Sequence, residues 1–172
     1  ILLSSAVEKY ANLFGVLCGE KNVLFTNNDS AYETAISLFQ KGINVEAIID
    51  NRANVDSKLI YEAEKNNIKI FKGFTVVETS GYKRLKKISI MQLSKDGQKV
   101  VGSKIDLNCD CLGVSGGWTP AVHLFTQSGG KLKFKDEDQT FIPNTFSSNQ
   151  LSIGACNGDL TLDEILINTP NS

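Results

Sequence analysis

Residues 21–52, KNVLFTNNDSAYETAISLFQKGINVEAIIDNR, read as strand, tight turn, helix and strand. Val23, Leu24 and Phe25 form a short apolar run. Thr26, Asn27, Asn28, Asp29 and Ser30 supply turn and N-cap chemistry, and Ala31, Ala35, Leu38 and Phe39 then recur at helical spacing. Gly42 stands where such a helix stops, and Val45, Ala47, Ile48 and Ile49 make a second buried strand ending in Asp50. A strand, helix and strand joined this tightly form a βαβ unit, which commits the chain to a parallel sheet covered by helices.

In dinucleotide-binding folds the first such unit carries G-x-G-x-x-G/A in its turn, and an acid about 20 residues further on meets the adenosine ribose. Asp50 stands at the acid's place. The fingerprint positions fall at Thr26, Asn28 and Ala31, so only the third, the position for close helix–strand packing, keeps a permitted residue. The first two glycines allow the tight turn and let a pyrophosphate approach the backbone, and side chains there obstruct both. The unit is therefore expected to be structural, with Asp50 as a degenerate ribose contact and no dinucleotide held tightly.

Charge and hydropathy narrow the rest. The 172 residues suit one domain, or one domain plus part of another. Eighteen basic residues nearly balance nineteen acidic ones, which leaves no footprint for nucleic acid or an anionic membrane surface. No apolar run approaches the roughly 20 residues that span a bilayer, and the opening residues lack a signal peptide's basic n-region, so a cytoplasmic location is expected. The chain begins with Ile1 and is expected to be a piece of a longer protein. Cys18, Cys109, Cys111 and Cys156 form no C-x-x-C pair and read as small buried hydrophobes, with no metal site.

Around the βαβ unit, residues 4–14 read as a helix closed by Gly15. Asp56 can cap a further helix striped by Leu59, Ile60 and Ala63, which Asn66 and Asn67 stop before a third strand at 68–71. Period-two patterning at 75–79, 84–93 and 99–105 predicts a β-meander, with Lys83, Arg84, Lys86 and Lys87 as solvated cations on a strand. A fourth apolar strand at 111–115 leads into Gly116, Gly117 and Trp118. Ligands in open α/β sheets bind outside the carboxyl ends of strands, so this glycine pair is a candidate cofactor contact. His123 lies on a short helix at 121–127 without a partnered carboxylate or serine, and no catalytic residue is assigned. After a hairpin from 131–134 and 140–142, a strand at 151–153, a turn containing Gly154 and Gly158, and a helix from 161 describe a second candidate phosphate contact by helix N-terminal amides.

NDSAYETAISL resembles the GGGDSAVEAAL segment of the nicotinamide domain in two-dinucleotide flavoproteins, SGGWTP their ATGYRPN turn, and IGACNGDLTLDEIL their final flavin-contacting G-D segment. TNNDSAY, then AIIDNR, then CDCLGVSGGWTPAVHLFTQSGGKLKF, in that order, resemble the alpha subunits of heterotetrameric sarcosine oxidases. The resemblance implies an α/β fold: a Rossmann-like three-layer domain with a parallel sheet and β-meander. It places an inserted second dinucleotide-binding-type domain at 1–115 and the returning segment of the first domain, incomplete, at 116–172. It also implies a cytoplasmic heterotetrameric parent that demethylates sarcosine oxidatively to glycine, with NAD, FAD and FMN, other subunits as partners, and tetrahydrofolate as a further small molecule. In that family the insert lacks the glycines and scaffolds the subunit, so Gly116, Gly117, Gly154 and Gly158 at most lend contacts and the piece alone has no turnover.

Two further readings stay open: a nucleotide-independent subunit-assembly module, and an independent NAD(P)H reductase domain. The missing C-x-x-C and the missing glycine fingerprint count against the second.

Overall fold

A computed structural model describes residues 1–136, 139–145 and 150–169. The chain divides into two compact units, Ile1–Gly117 and Trp118–Ser172.

The first unit is built on five parallel strands: β1 (Leu2–Leu3), β2 (Asn22–Thr26), β3 (Val45–Asp50), β4 (Ile70–Lys72) and β8 (Cys111–Ser115), in the order β1-β8-β2-β3-β4. Helices α1 (Ser4–Phe14), α2 (Ser30–Gln40) and α3 (Lys58–Lys65) cover one face. The antiparallel strands β5 (Phe74–Ser80), β6 (Lys87–Leu93) and β7 (Val100–Asn108) cover the other. Alternation along the parallel strands explains the layering. Leu24, Ile48 and Cys111 face Val7, Tyr32, Leu38 and Ile60 of the helices. Their sequence neighbours Val23, Ile49 and Leu112 face Ile88 and Ile90 of the antiparallel sheet. A sheet buried on both faces needs an apolar residue at nearly every position, which is why these strands read as continuous runs.

The Rossmann-like three-layer fold with its meander is the one expected from the sequence, and several local details differ. The N-cap position of the helix after residue 56 is Ser57, whose side chain makes no capping bond, and not Asp56, whose carboxylate instead accepts from Tyr61 and holds that phenol's pKa up. The third parallel strand starts at Ile70, because Asn67 adopts φ 59° and Ile68 closes back onto the Ala63 carbonyl. Lys83, Arg84 and Lys86 lie in the loop before β6 and not on a strand, leaving Lys87 as the first strand residue.

In the second unit α4 (His123–Gln127) precedes a hairpin of β9 (Lys131–Lys135) and β10 (Thr140–Thr145), where Phe134 and Phe141 sit opposite each other with ring centroids 5.1 Å apart. Residues 151–153 form no strand. They lead into a single 3-10 turn, Gly154–Asn157, and then to α5 (Leu162–Asn168), whose Thr161 and Glu164 make a capping box. Leu162, Leu166 and Ile167 of α5 are 69%, 67% and 80% exposed.

Candidate functional site

The chain runs β2, β3, β4 toward one edge of the sheet and later inserts β8 on the other side of β2, so the crevice between the carboxyl ends of β2 and β8 is the topological switch point. Thr26 and Ser115 are in register there. The Thr26 hydroxyl donates to the Asn28 carbonyl at 2.9 Å and accepts from the Asn28 N–H at 3.0 Å, which closes the turn on itself.

The Asn28 side chain fills the space that a second fingerprint glycine would leave open. Its Nδ2 donates to the Ser115 carbonyl at 3.2 Å and to Ser115 Oγ at 3.1 Å. Its Oδ1 accepts from the Ser30 N–H at 3.0 Å and the Ser30 hydroxyl at 2.6 Å. Asn27 Nδ2 reaches the Gly116 carbonyl at 3.3 Å. The N–H of Ser30 at the start of α2, the kind of donor a pyrophosphate would use, is thus taken by a side chain of the same turn. Ala31 is fully buried beneath it, in the packing position the fingerprint assigns. Gly117 needs to be glycine for its φ of +92°.

Asp50 ends β3 with no solvent exposure. Its Oδ1 accepts from the Arg52 N–H at 2.9 Å and from Arg52 Nε at 3.1 Å, and its Oδ2 accepts from the Tyr32 hydroxyl at 2.8 Å and Arg52 Nη2 at 2.9 Å. Arg52 Nη2 also donates to Asp29 Oδ1 at 2.7 Å. Burial acts against the Arg52 charge, but the hydrogen bonds to Asp50 and Asp29 outweigh it and hold the guanidinium more firmly protonated than usual. Burial, then the bond to Asp50, pushes the Tyr32 phenol well above its ordinary range. Four donors from the protein therefore already occupy the carboxylate that a ribose would approach.

Thr26, Asn28, Ala31, Asp50, Gly116 and Gly117 all belong to the first unit, whereas Gly154 and Gly158 belong to the second. Gly158 packs closely: a Cβ there would stand 3.0 Å from Ile142 Cγ2. The residues before α5 are not free for an anion, because Glu164 Oε2 accepts from the N–H groups of Leu160 at 3.0 Å and Thr161 at 2.9 Å. Those backbone bonds hold the Glu164 carboxyl below the usual range. His123 is exposed at the first residue of α4. Tyr32, Arg52 and Ser115 complete the site without standing out as candidates in the sequence. Arg52 carried a signal, since a cation two residues beyond a buried acid can fold back onto it. Tyr32 and Ser115 carried none, because their roles arise between elements.

Among the described residues no three His, Cys, Asp or Glu side chains gather where they could hold a metal ion, and no helix is long and apolar enough to cross a membrane. The four cysteines are free: Cys109 and Cys111 are buried, and Cys18 and Cys156 are half-buried.

No family model matches the chain. Its Rossmann-like fold is shared with solved reductases. It is similar to T. acidophilum thioredoxin reductase, with a TM-score of 0.59 and 18% identity over 92% of this chain and 53% of that one. It is also similar to a HOCl-induced flavoprotein disulfide reductase from Escherichia coli, with a TM-score of 0.60 and 14% identity over 88% of this chain and 34% of that one.

In sequence the chain belongs to the family of sarcosine oxidase alpha subunits, as its motifs indicated. It is 34% identical to that of Corynebacterium sp. (strain P-1) over 160 residues, which make up 92% of this chain and 16% of the relative. It is 28% identical to that of Rhizobium meliloti (strain 1021) over 162 residues, 90% of this chain and 14% of the relative. The chain thus spans about one sixth of the length of the relatives it matches.

Proposed function

We propose that this chain is part of a sarcosine oxidase alpha subunit and that it scaffolds the cofactor-binding subunit without turning over substrate itself. Residues 1–115 act as the inserted Rossmann-like domain and residues 116–172 as the returning segment of the first. The parent enzyme demethylates sarcosine oxidatively to glycine in the cytoplasm, as a heterotetramer with NAD, FAD and FMN distributed over its subunits and tetrahydrofolate as a further small molecule. Cofactors meet this chain, if at all, through Gly116, Gly117, Gly154 and Gly158.

What carries the scaffolding reading is the side chain of Asn28. It sits in the turn where a pyrophosphate would have to approach, bonded on both sides to Ser30 and Ser115. A dinucleotide would have to break those bonds and also displace Arg52 from Asp50, and the residues present therefore do not fit one. Calorimetric titration of the purified chain with NAD, FAD and FMN tests this. No binding as tight as micromolar is expected at the β2–β8 crevice for any of the three, and NAD bound at micromolar affinity or tighter with amide shifts centred on residues 26–31 and 50–52 would overturn the reading.

The exposed apolar residues of α5 favour subunit assembly as a second role. It predicts that adding the other sarcosine oxidase subunits shields Leu162 and Leu166 from hydroxyl-radical labelling. Unchanged labelling in a complex that does form would remove this role.

A further inference from the structure

The loop joining β5 to β6 carries Lys83, Arg84 and Lys86, three cations in four residues, and none of them forms an ion pair with a described residue. Cations on the strands of the same sheet behave differently. Lys87 pairs with Asp106 at 2.7 Å and Lys104 with Glu78 at 2.5 Å, each across to a neighbouring strand or along the sheet.

The loop is also held in shape. Lys86 N–H donates to the Ser80 carbonyl at 2.9 Å, and the Lys86 carbonyl accepts from Cys109 N–H at 3.2 Å. Gly81 adopts φ +155°, and a Cβ there would stand 2.0 Å from the Arg84 carbonyl oxygen. Lys83, though not glycine, adopts φ 61°. The chain therefore folds back tightly over Gly81 and brings like charges together without a counter-charge of its own.

A cleft of about 310 Å³ opens on this loop, lined by Thr79, Ser80, Gly81, Lys83 and Arg84 together with Ile1 and Leu85, and no carboxylate lines it. A larger cleft of about 760 Å³ shares Lys83 and Arg84 and adds Lys86, beside Glu20 and Asp110. Both Asp110 oxygens are engaged there, accepting from the N–H groups of Glu20 at 3.0 Å and Lys21 at 2.8 Å. We propose that the smaller cleft is an anion site for the phosphate groups of a small phosphorylated ligand. Among the lining residues Arg84 carries a planar fork that matches a phosphate face, Lys83 carries a point charge, and Thr79 and Ser80 carry hydroxyl groups. The cleft is distinct from the β2–β8 switch point and lies on the antiparallel sheet's loop, so the proposal does not depend on the function given above.

Calorimetry of the purified chain at low ionic strength, with inorganic pyrophosphate as probe, decides it. Saturable one-to-one binding is expected, weakened about tenfold by Arg84→Gln and by Lys83→Gln, and unchanged within about twofold by the pair Lys95→Gln and Lys99→Gln in the β6–β7 turn. Circular dichroism checks that each variant keeps its fold. Amide chemical-shift mapping on the unsubstituted chain, with shifts centred on residues 79–86, gives the same answer should a variant fail to fold. ADP binding alongside pyrophosphate, with adenosine inert, would identify a nucleotide as the source, while pyrophosphate alone would identify an inorganic anion. No saturable binding, equal weakening by the Lys95 and Lys99 substitutions, or shifts spread over the whole surface would each overturn the proposal.

Discussion

The phenol of Tyr32 donates a 2.8 Å hydrogen bond to Oδ2 of Asp50, and solvent reaches neither side chain. One residue comes from the first turn of α2 and the other from the last position of β3, so the bond ties helix to strand at the place where a ribose would otherwise compete. Tyr32→Phe leaves the ring's packing intact and removes one of four donors to a buried carboxylate. It should cost about 1–3 kcal/mol, read as a lower urea midpoint with an unchanged slope. A midpoint equal to that of the unsubstituted chain would show that Arg52 alone satisfies Asp50.

Ala31→Leu tests the register of the degenerate fingerprint. Ala31 has no exposed surface, and three added carbons must push α2 off β2 or force a poor rotamer, at a cost on the order of 1–3 kcal/mol. Thermal unfolding measures it, and an unchanged melting temperature would mean that the helix–strand contact is made elsewhere.

Asn28→Gly restores the glycine that the fingerprint asks for, and the expected result is loss, not gain. The substitution removes the bonds to Ser115 and Ser30 and adds backbone freedom to a turn, so stability should fall by about 1–3 kcal/mol. NAD affinity should stay undetectable, because Arg52 still occupies Asp50. Calorimetry on this variant that finds micromolar NAD binding would make Asn28 the single barrier to the cofactor.

Burial pushes the thiols of Cys109 and Cys111 up from 9.0 to about 11. The folded chain therefore keeps two protons that the unfolded chain releases above pH 9. The stabilisation is fully present below pH 9 and is lost as pH rises from 9 through 11, by a few kcal/mol in order of magnitude. Urea unfolding between pH 8 and 11 should show this decline, and the double variant Cys109→Ala, Cys111→Ala should show a shallower one. Equal slopes in the two proteins would assign the alkaline loss to other groups.

Hydrogen exchange separates the two units. Val23 and Leu24 lie in a sheet buried on both faces, while α5 buries no residue completely. Protection at residues 162–168 should be far below that at residues 23–25. Equal protection would show that residues 118–172 are stable without further chain, against their reading as an incomplete segment.

The order of elements was legible in residues 21–52 because each signal there is local. An apolar run of three, turn residues, a 3.6-residue period and a stopping glycine all act within one element, and the right-handed crossover rule converts them into a parallel sheet. The family was legible for a similar reason, since TNNDSAY and SGGWTPAVHL are contiguous segments that follow one another in order along the chain. Even the loss of the nucleotide fingerprint could be read directly, from Thr26 and Asn28. What fills the site in its place could not. Asn28 meets Ser115, 87 residues away, and Tyr32 meets Asp50 only because α2 packs on β3 with that face inward. Likewise the cations at 83, 84 and 86 looked like strand residues until Gly81 turned the chain back. Period and turn chemistry fix each element by itself, whereas the pairing of polar groups between elements depends on distances that exist only once the sheet has closed around its core.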